Sequence, residues 1–261
     1  MDIIVCIKQV PDTTEVKIDP KTNTLVRQGV PSIVNPFDKN AIEAGLRLKE
    51  QHGGKVTVVS MGPPQANDAL RECLAMGADE AVLVSDRAFG GADTLATSYT
   101  LAAVMRKLGH YDIILCGKQA IDGDTAQVGP EMAEHLGIAQ ITYVAKIDVK
   151  GDTVRVNREH ENGYEVIEAK MPVLLSAVKS LNVPRYPTVK GIRRAFKTEI
   201  RVLGAKDLEV EPDRLGLKGS ATQVREIFTP PQRGQGIMIR KDSAAGAVGE
   251  LMEKLTEAKI V

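Results

Sequence analysis

The chain has 261 residues, with 34 Lys plus Arg against 34 Asp plus Glu, so its formal net charge is zero. That balance argues against nucleic acid as the main partner, because phosphate binding rests on excess positive charge. Hydrophobic residues at 43% exclude a disordered chain, and aromatics at 3% with no Trp argue against a surface that stacks bases.

The N-terminus, Met1-Asp2-Ile3-Ile4-Val5, has no basic region ahead of a long apolar stretch, and no apolar run approaches the roughly 18 residues that span a bilayer. The expectation is a cytoplasmic protein without a signal peptide. In chain order, the runs Ile3 to Ile7, Val56 to Val59, Ala81 to Val84 and Ile113 to Cys116 are apolar on both faces, as strands covered on both sides require. Helical spacing lies between and after them, at Ala66, Leu70, Cys73 and Leu74, at Leu101, Met105 and Leu108, and at Val128, Met132 and Leu136. Gly77, Gly109 and Gly137 follow these three helices as C-terminal stops. Strand alternating with helix predicts an α/β fold: an open, mostly parallel, doubly wound sheet that binds ligands beyond the carboxyl ends of its strands.

Beyond about residue 140 the pattern changes. Ile141 to Val149 and Thr153 to Arg158 flank Lys150-Gly151-Asp152 and predict an antiparallel hairpin extension. Val173 to Ala177 reads as another buried strand. From Ser180 periodicity is weak, with Pro184, Pro187, Pro212, Pro230 and Pro231, and only Ala244 to Leu255 recovers a helical face. The division expected is 1–180 as a nucleotide-binding domain and 181–261 as a loop and long C-terminal arm, which drapes over its own domain or embraces a partner. Cys6, Cys73 and Cys116 form no CxxC pair, and His52, His110, His135 and His160 lack ligand spacing, so no disulfide framework, metal site or iron–sulfur cluster is supported.

Two loops suit phosphate. Gly117 to Pro130 carries Gly117, Gly123 and Gly129 and leads into a helix that Asp124 or Thr125 can start, with Gln127 in capping reach. Gly90-Gly91-Ala92-Asp93-Thr94 with Thr97 repeats the construction. Two such helix starts side by side can hold the two phosphates of a dinucleotide, whereas one phosphate needs only one. Asp93 and Asp124 read equally as ordinary N-caps beside tight turns. No G-x-G-x-x-G follows a strand, and no P-loop, nucleophile elbow or catalytic triad is present, so no catalytic acid or base is assigned.

Several runs then carry a resemblance. Cys6 to Asp12, Asn35-Pro36-Phe37-Asp38, Met61-Gly62-Pro63, Gly117 to Asp122, and Val156-x-Arg158-x-x-Glu161 continuing to Pro172 and Ser176 resemble the β subunit of electron-transferring flavoproteins. The departure is Asn162, where that family has an acidic residue or Gly. The resemblance implies a heterodimer with a FAD-carrying α subunit. It also implies nucleotide contacts at Cys6, Asn35, Pro36, Phe37, Asp38 and Met61, and along Gly117, Lys118, Gln119, Ala120, Ile121, Asp122, Gly123, Asp124, Thr125, Ala126, Gln127 and Val128. The run from Gly123 to Pro130, with Gly90 to Thr94 and Thr97, is similar to the electron-bifurcating branch. There this subunit binds a second FAD, placed between Lys8, Met61, Thr94 and Thr125, beside Asp93. That flavin takes electrons from NADH and sends them to an acyl-CoA-type dehydrogenase and to ferredoxin or flavodoxin. Leu181 to Tyr186 resembles the loop that docks on the dehydrogenase, with Leu181 as anchor and Arg185 and Tyr186 beside it. The alternatives are the ordinary carrier, with structural AMP, and a stand-alone nucleotide-binding regulator.

Overall fold

The computed structural model describes residues 1–12, 31–225, 234 and 236–261, together with the backbone of 18–19 and 24–25. Pro230 and Pro231 lie outside the described residues. In chain order the strands and helices of the first unit are β1 (Asp2–Ile7), β2 (Gln9–Pro11), β3 (Ile18–Asp19), β4 (Thr24–Leu25), β5 (Ser32–Val34), α1 (Pro36–His52), β6 (Lys55–Met61), α2 (Asn67–Met76), β7 (Glu80–Val84), α3 (Thr94–Leu108), β8 (Ile113–Gly117), α4 (Val128–Leu136), β9 (Ala139–Lys150), β10 (Thr153–His160), β11 (Gly163–Lys170), β12 (Val173–Ala177), α5 (Val189–Lys197), β13 (Arg201–Leu203) and α6 (Gly216–Gly219). This unit runs from Met1 to Arg225; a second, Glu226–Val261, contains α7 (Ala244–Glu257), none of whose residues is buried.

Nine strands form one sheet in the order β11-β10-β9-β12-β8-β1-β6-β7-β13. From β9 through β13 every neighbouring pair is parallel; β10 and β11 extend the sheet antiparallel. The double-faced apolar runs explain the parallel part. Ile3, Val5 and Ile7 point to one layer, with α1 and α2, while Ile4 and Cys6 point to the other, with α3 and α4. Helices on both faces make the sheet doubly wound, as the alternation of strand and helix implies.

The sequence pattern misses α1, because its buried face mixes Ala41, Ile42 and Leu46 with buried Asp38, Asn40 and Glu43, which blurs the apolar stripe. It also shows two strands of the extension where there are three. Gly151, at φ +62°, makes the tight turn between β9 and β10, whose residues Lys150 and Thr153 pair, but β11 is exposed along most of its length and alternates weakly. Beyond Ser180 the chain recovers α5 and β13. Arg71 donates to the Ala195 carbonyl at 2.7 Å, and Arg194 to the carbonyls of Leu74 and Ala78 at 2.9 and 2.8 Å, so that helix rests on α2. Residues 204–222 then lie along α3, with Leu208 and Leu215 buried, Arg214 stacked 3.9 Å from the centre of the Tyr99 ring, and the Glu211 N–H donating to the Tyr99 hydroxyl. The part of the tail up to Arg225 therefore drapes over its own unit.

Candidate functional site: the strand ends at β1 and β8

From β1 the chain winds outward through β6 and β7, then returns to place β8 on the other side of β1. This reversal opens a crevice at the carboxyl ends of β1 and β8, the position where open α/β sheets take ligands. The first turn of α1 closes its floor. The Lys8 N–H donates to Asp38 Oδ2 at 2.7 Å and the Gly117 N–H to Asp38 Oδ1 at 3.0 Å, so one carboxylate ties both strand ends. Asn35, fully buried, does the same for the loop: its Nδ2 donates to the Gln119 carbonyl at 2.9 Å and its Oδ1 accepts the Ile121 N–H at 3.2 Å. Burial pushes the Asp38 carboxyl up to about 7, against the opposing pull of the Lys8 N–H, Asn35, the Gly117 N–H and the Lys8 charge. Gly117 is required here, because a Cβ would stand 2.3 Å from Asp38 Oδ1 and 2.7 Å from Phe37 Cβ.

Above that floor the loop is strained and exposed. Asp124 and Ala126 hold φ of 55° and 54°, a region that side chains larger than glycine seldom occupy. Lys8 Nζ pairs with Asp122 at 2.7 Å, the Gln119 amide donates to Asp124, and the Asp124 N–H to the Ala120 carbonyl at 2.8 Å. Because Asp124 is held in this way, α4 starts later than sequence suggests, at Val128. Its N-cap, Gln127, makes no side-chain capping bond, and Pro130 falls in the first turn, where it needs no N–H partner. Thr125 is exposed and Gly123 has open space around it. Cys6 packs its thiol into the α3–α4 layer at the end of β1; burial, then the Asp38 charge, pushes it up to about 12. Met61 packs into the same layer from the end of β6.

The second loop meets the first. Thr94 Oγ1 lies 3.1 Å from Glu131 Oε1 and 3.3 Å from Gln127 Oε1, so the starts of α3 and α4 adjoin. Asp93 is the N-cap of α3, accepting the Ala96 N–H at 3.1 Å, and it also accepts the Thr222 N–H and hydroxyl at 2.9 and 3.1 Å. Thr97 sits half-buried one turn on. Sequence reasoning did not pick out Glu131. Its Oε2 is buried without a partner beside this junction. An uncapped α4, an unpartnered buried carboxylate oxygen and an open glycine loop fit a phosphate-bearing ligand with sugar hydroxyls.

Lys118 turns away from the junction. Its ammonium lies 4.9 Å from the centre of the Tyr143 ring, and its N–H donates to the Ala177 carbonyl at 2.8 Å. There it helps line a cleft of about 930 Å³ with Phe37, Arg158, Glu161 and Lys179. Farther along α1, Leu181 is half-buried against the sheet core and Arg185 is engaged with Glu43 and Glu50, so the outward apolar side chains of this stretch are Val183, Tyr186 and Val189. Among the described residues no cluster of His, Cys, Asp and Glu is arranged to hold a metal, and no helix is long and apolar enough to cross a membrane.

Comparison with known proteins agrees with this architecture. Residues 22–208 match the model of the electron transfer flavoprotein domain. The chain is 60% identical over 257 residues to an electron transfer flavoprotein subunit beta of Clostridium acetobutylicum, covering 97% of this chain and 99% of that one. It is 53% identical over 262 residues to the caffeyl-CoA reductase-Etf complex subunit CarD of Acetobacterium woodii, covering both in full. It is 48% identical over 265 residues to the acryloyl-CoA reductase electron transfer subunit gamma of Anaerotignum propionicum, covering 97% of this chain and 99% of that one. With a doubly wound sheet, a crevice at its reversal point and likeness of this extent, the chain belongs to the electron transfer flavoprotein family, as a β subunit.

Proposed function

We propose that this β subunit is of the electron-bifurcating type: paired with its α subunit, it takes electrons from NADH and divides them between an acyl-CoA-type dehydrogenase and ferredoxin or flavodoxin. The observation that carries this reading is the junction of the α3 and α4 starts at Thr94, Gln127 and Glu131. One phosphate needs one helix start; two adjoining starts suit the diphosphate of FAD. The threonine hydroxyls of Thr94, Thr97 and Thr125 and the uncapped first turn of α4 would hold the diphosphate. Met61 and Lys8 would border the flavin, and Asp38 and Asn35 keep the floor rigid. Glu131 Oε2, buried without a partner beside Thr94, would accept from a sugar hydroxyl once the ligand opens this junction. Bound there, the flavin supplies the redox chemistry, and this chain supplies position, field and exclusion of water. Two relatives named for CoA-thioester reductases support a dehydrogenase of acyl-CoA type as the acceptor.

A second reading, structural AMP, draws on a different observation: Asp93 already caps α3, which leaves α4 as the one uncapped start of the two. Cofactor release from the natively purified heterodimer separates the two. Two FAD per heterodimer is the expected result, and one FAD plus AMP overturns the bifurcating reading. In the double variant Thr94→Val/Thr125→Val the FAD count is expected to fall toward one. Each lost bond to a charged phosphate weakens binding by roughly tenfold or more.

A further inference from the structure

The stretch 182–189 combines two properties that seldom coincide. Its apolar side chains are almost fully exposed, at 82% for Val183, 91% for Tyr186 and 87% for Val189. Its backbone, however, is pinned to α1 by buried polar groups. Asn40, buried, donates to the Asn182 carbonyl at 2.7 Å, and Asn182 Nδ2 returns a bond to the Asn40 carbonyl at 2.9 Å. Three residues on, the Arg185 N–H and Nε donate to Glu43 Oε2 at 3.1 and 2.8 Å, and Nη2 to Glu50 Oε2 at 3.0 Å, while Nη1 also bonds Glu50. Arg47 holds the other Glu43 oxygen at 2.6 Å and reaches the Val183 carbonyl at 3.3 Å. Thr188 then caps α5 through the Gly191 N–H.

Stability alone is a poor account of this arrangement. Glu50 is exposed and adds little as an ion pair. Burying Glu43 carries a desolvation cost that an apolar side chain would avoid. What a forked guanidinium between two carboxylates does provide is geometry. A stretch ordered before binding does not lose that freedom on docking. Lys190, Arg193 and Lys197 are exposed on α5, the helix that begins at Val189, so a complementary surface would be apolar with acidic groups beside it.

We infer that the Arg185–Glu43–Glu50 clamp is a positioning device, which holds 182–189 in its docking shape for the dehydrogenase; this rests on the acyl-CoA-type acceptor proposed above and on the resemblance of Leu181 to Tyr186 to the loop that docks on it. The test uses the natively purified heterodimer carrying Arg185→Ala, Arg185→Lys or the milder Glu50→Gln. It reads amide hydrogen exchange across 182–189, flavin content, and kcat and KM for the heterodimer as electron donor to the host's acyl-CoA dehydrogenase. For Arg185→Ala, exchange rises at least tenfold and KM rises roughly tenfold, with kcat and flavin content unchanged. Arg185→Lys, which keeps the charge and loses the fork, falls between. If Arg185→Ala fails to fold, Glu50→Gln takes its place, with a rise in KM of about two- to threefold expected and an unchanged KM counting against the clamp. Unchanged exchange overturns the clamp. Faster exchange with unchanged KM, while Tyr186→Ala raises KM, overturns its role in docking. If Tyr186→Ala and Val189→Asp also leave KM unchanged, it is the docking reading that has failed, and the clamp's role falls with it.

Discussion

A carboxylate buried between two strand ends has a pH signature. Asp38 is raised to about 7 from 3.8, by burial first, with the backbone N–H groups and Asn35 opposing. Its folded-state value lies above its unfolded one, so its contribution to stability is fully present below about 4 and is lost as pH rises through about 7. The expected loss is on the order of a few kcal/mol. In denaturant titrations from pH 4.5 to 8, the difference between wild type and Asp38→Asn should move in that direction, because the amide removes the titration; a difference that stays flat would mean Asp38 does not titrate in this window. Gly117 tests the same floor sterically. Its Cβ would meet the Asp38 carboxylate, Phe37 Cβ and the Asp38 backbone nitrogen at once, and the carboxylate cannot swing aside without losing the Lys8 and Gly117 N–H bonds. Gly117→Ala is expected to cost roughly 3 kcal/mol, read by denaturation, and, on the proposed cofactor site, to lower the nucleotide content of the purified heterodimer.

At the scale of elements, α1 holds more of the site than the glycine loops that first draw the eye. Asn35 and Asp38 in and before its first turn fix the loop and the strand ends, and Asn40, Glu43 and Glu50 fix the stretch 182–189. One rigid helix thus sets the position of both regions. The start of α3 is similarly shared, since Asp93 caps it and also ties down Thr222. Asp93→Ala removes the cap bond and both Thr222 bonds, so a loss of about 2 kcal/mol is expected, with protease cutting after 220 that is slow in the wild type becoming fast. An Asp93→Asn variant, which can still cap, should recover much of the stability.

For the whole molecule, the described residues of the second unit expose an apolar helix face and bury little. Val248, Leu251 and Met252 form an exposed apolar stripe at helical spacing on α7, 57%, 45% and 47% accessible. A helix that buries none of its residues draws little stability from its own chain. If α7 is the arm for the α subunit that the sequence leads one to expect, association with that subunit should weaken by roughly ten- to a hundredfold in a titration on Leu251→Glu. Equal association by wild type and variant would place the α subunit elsewhere.

What the sequence determined by itself was the sheet and the edge that matters. Runs such as Ile3 to Ile7 are apolar on both faces, and a strand with that pattern has few places to go except between two helical layers. Glycines after α2, α3 and α4 marked their ends for the equally local reason that few other residues take their backbone angles. What only the tertiary structure decided was the partner of each polar side chain. Asn35 and Asp38 stand out in the sequence as expected nucleotide contacts, yet their polar atoms are engaged by backbone from residues about 30 to 86 positions away. Glu131 gained its place by facing Thr94 across two helices, and Arg185 by facing Glu43. Burial of a polar group depends on which distant strand or helix covers it, and that is a property of the packed chain, with no trace in the spacing of neighbouring residues.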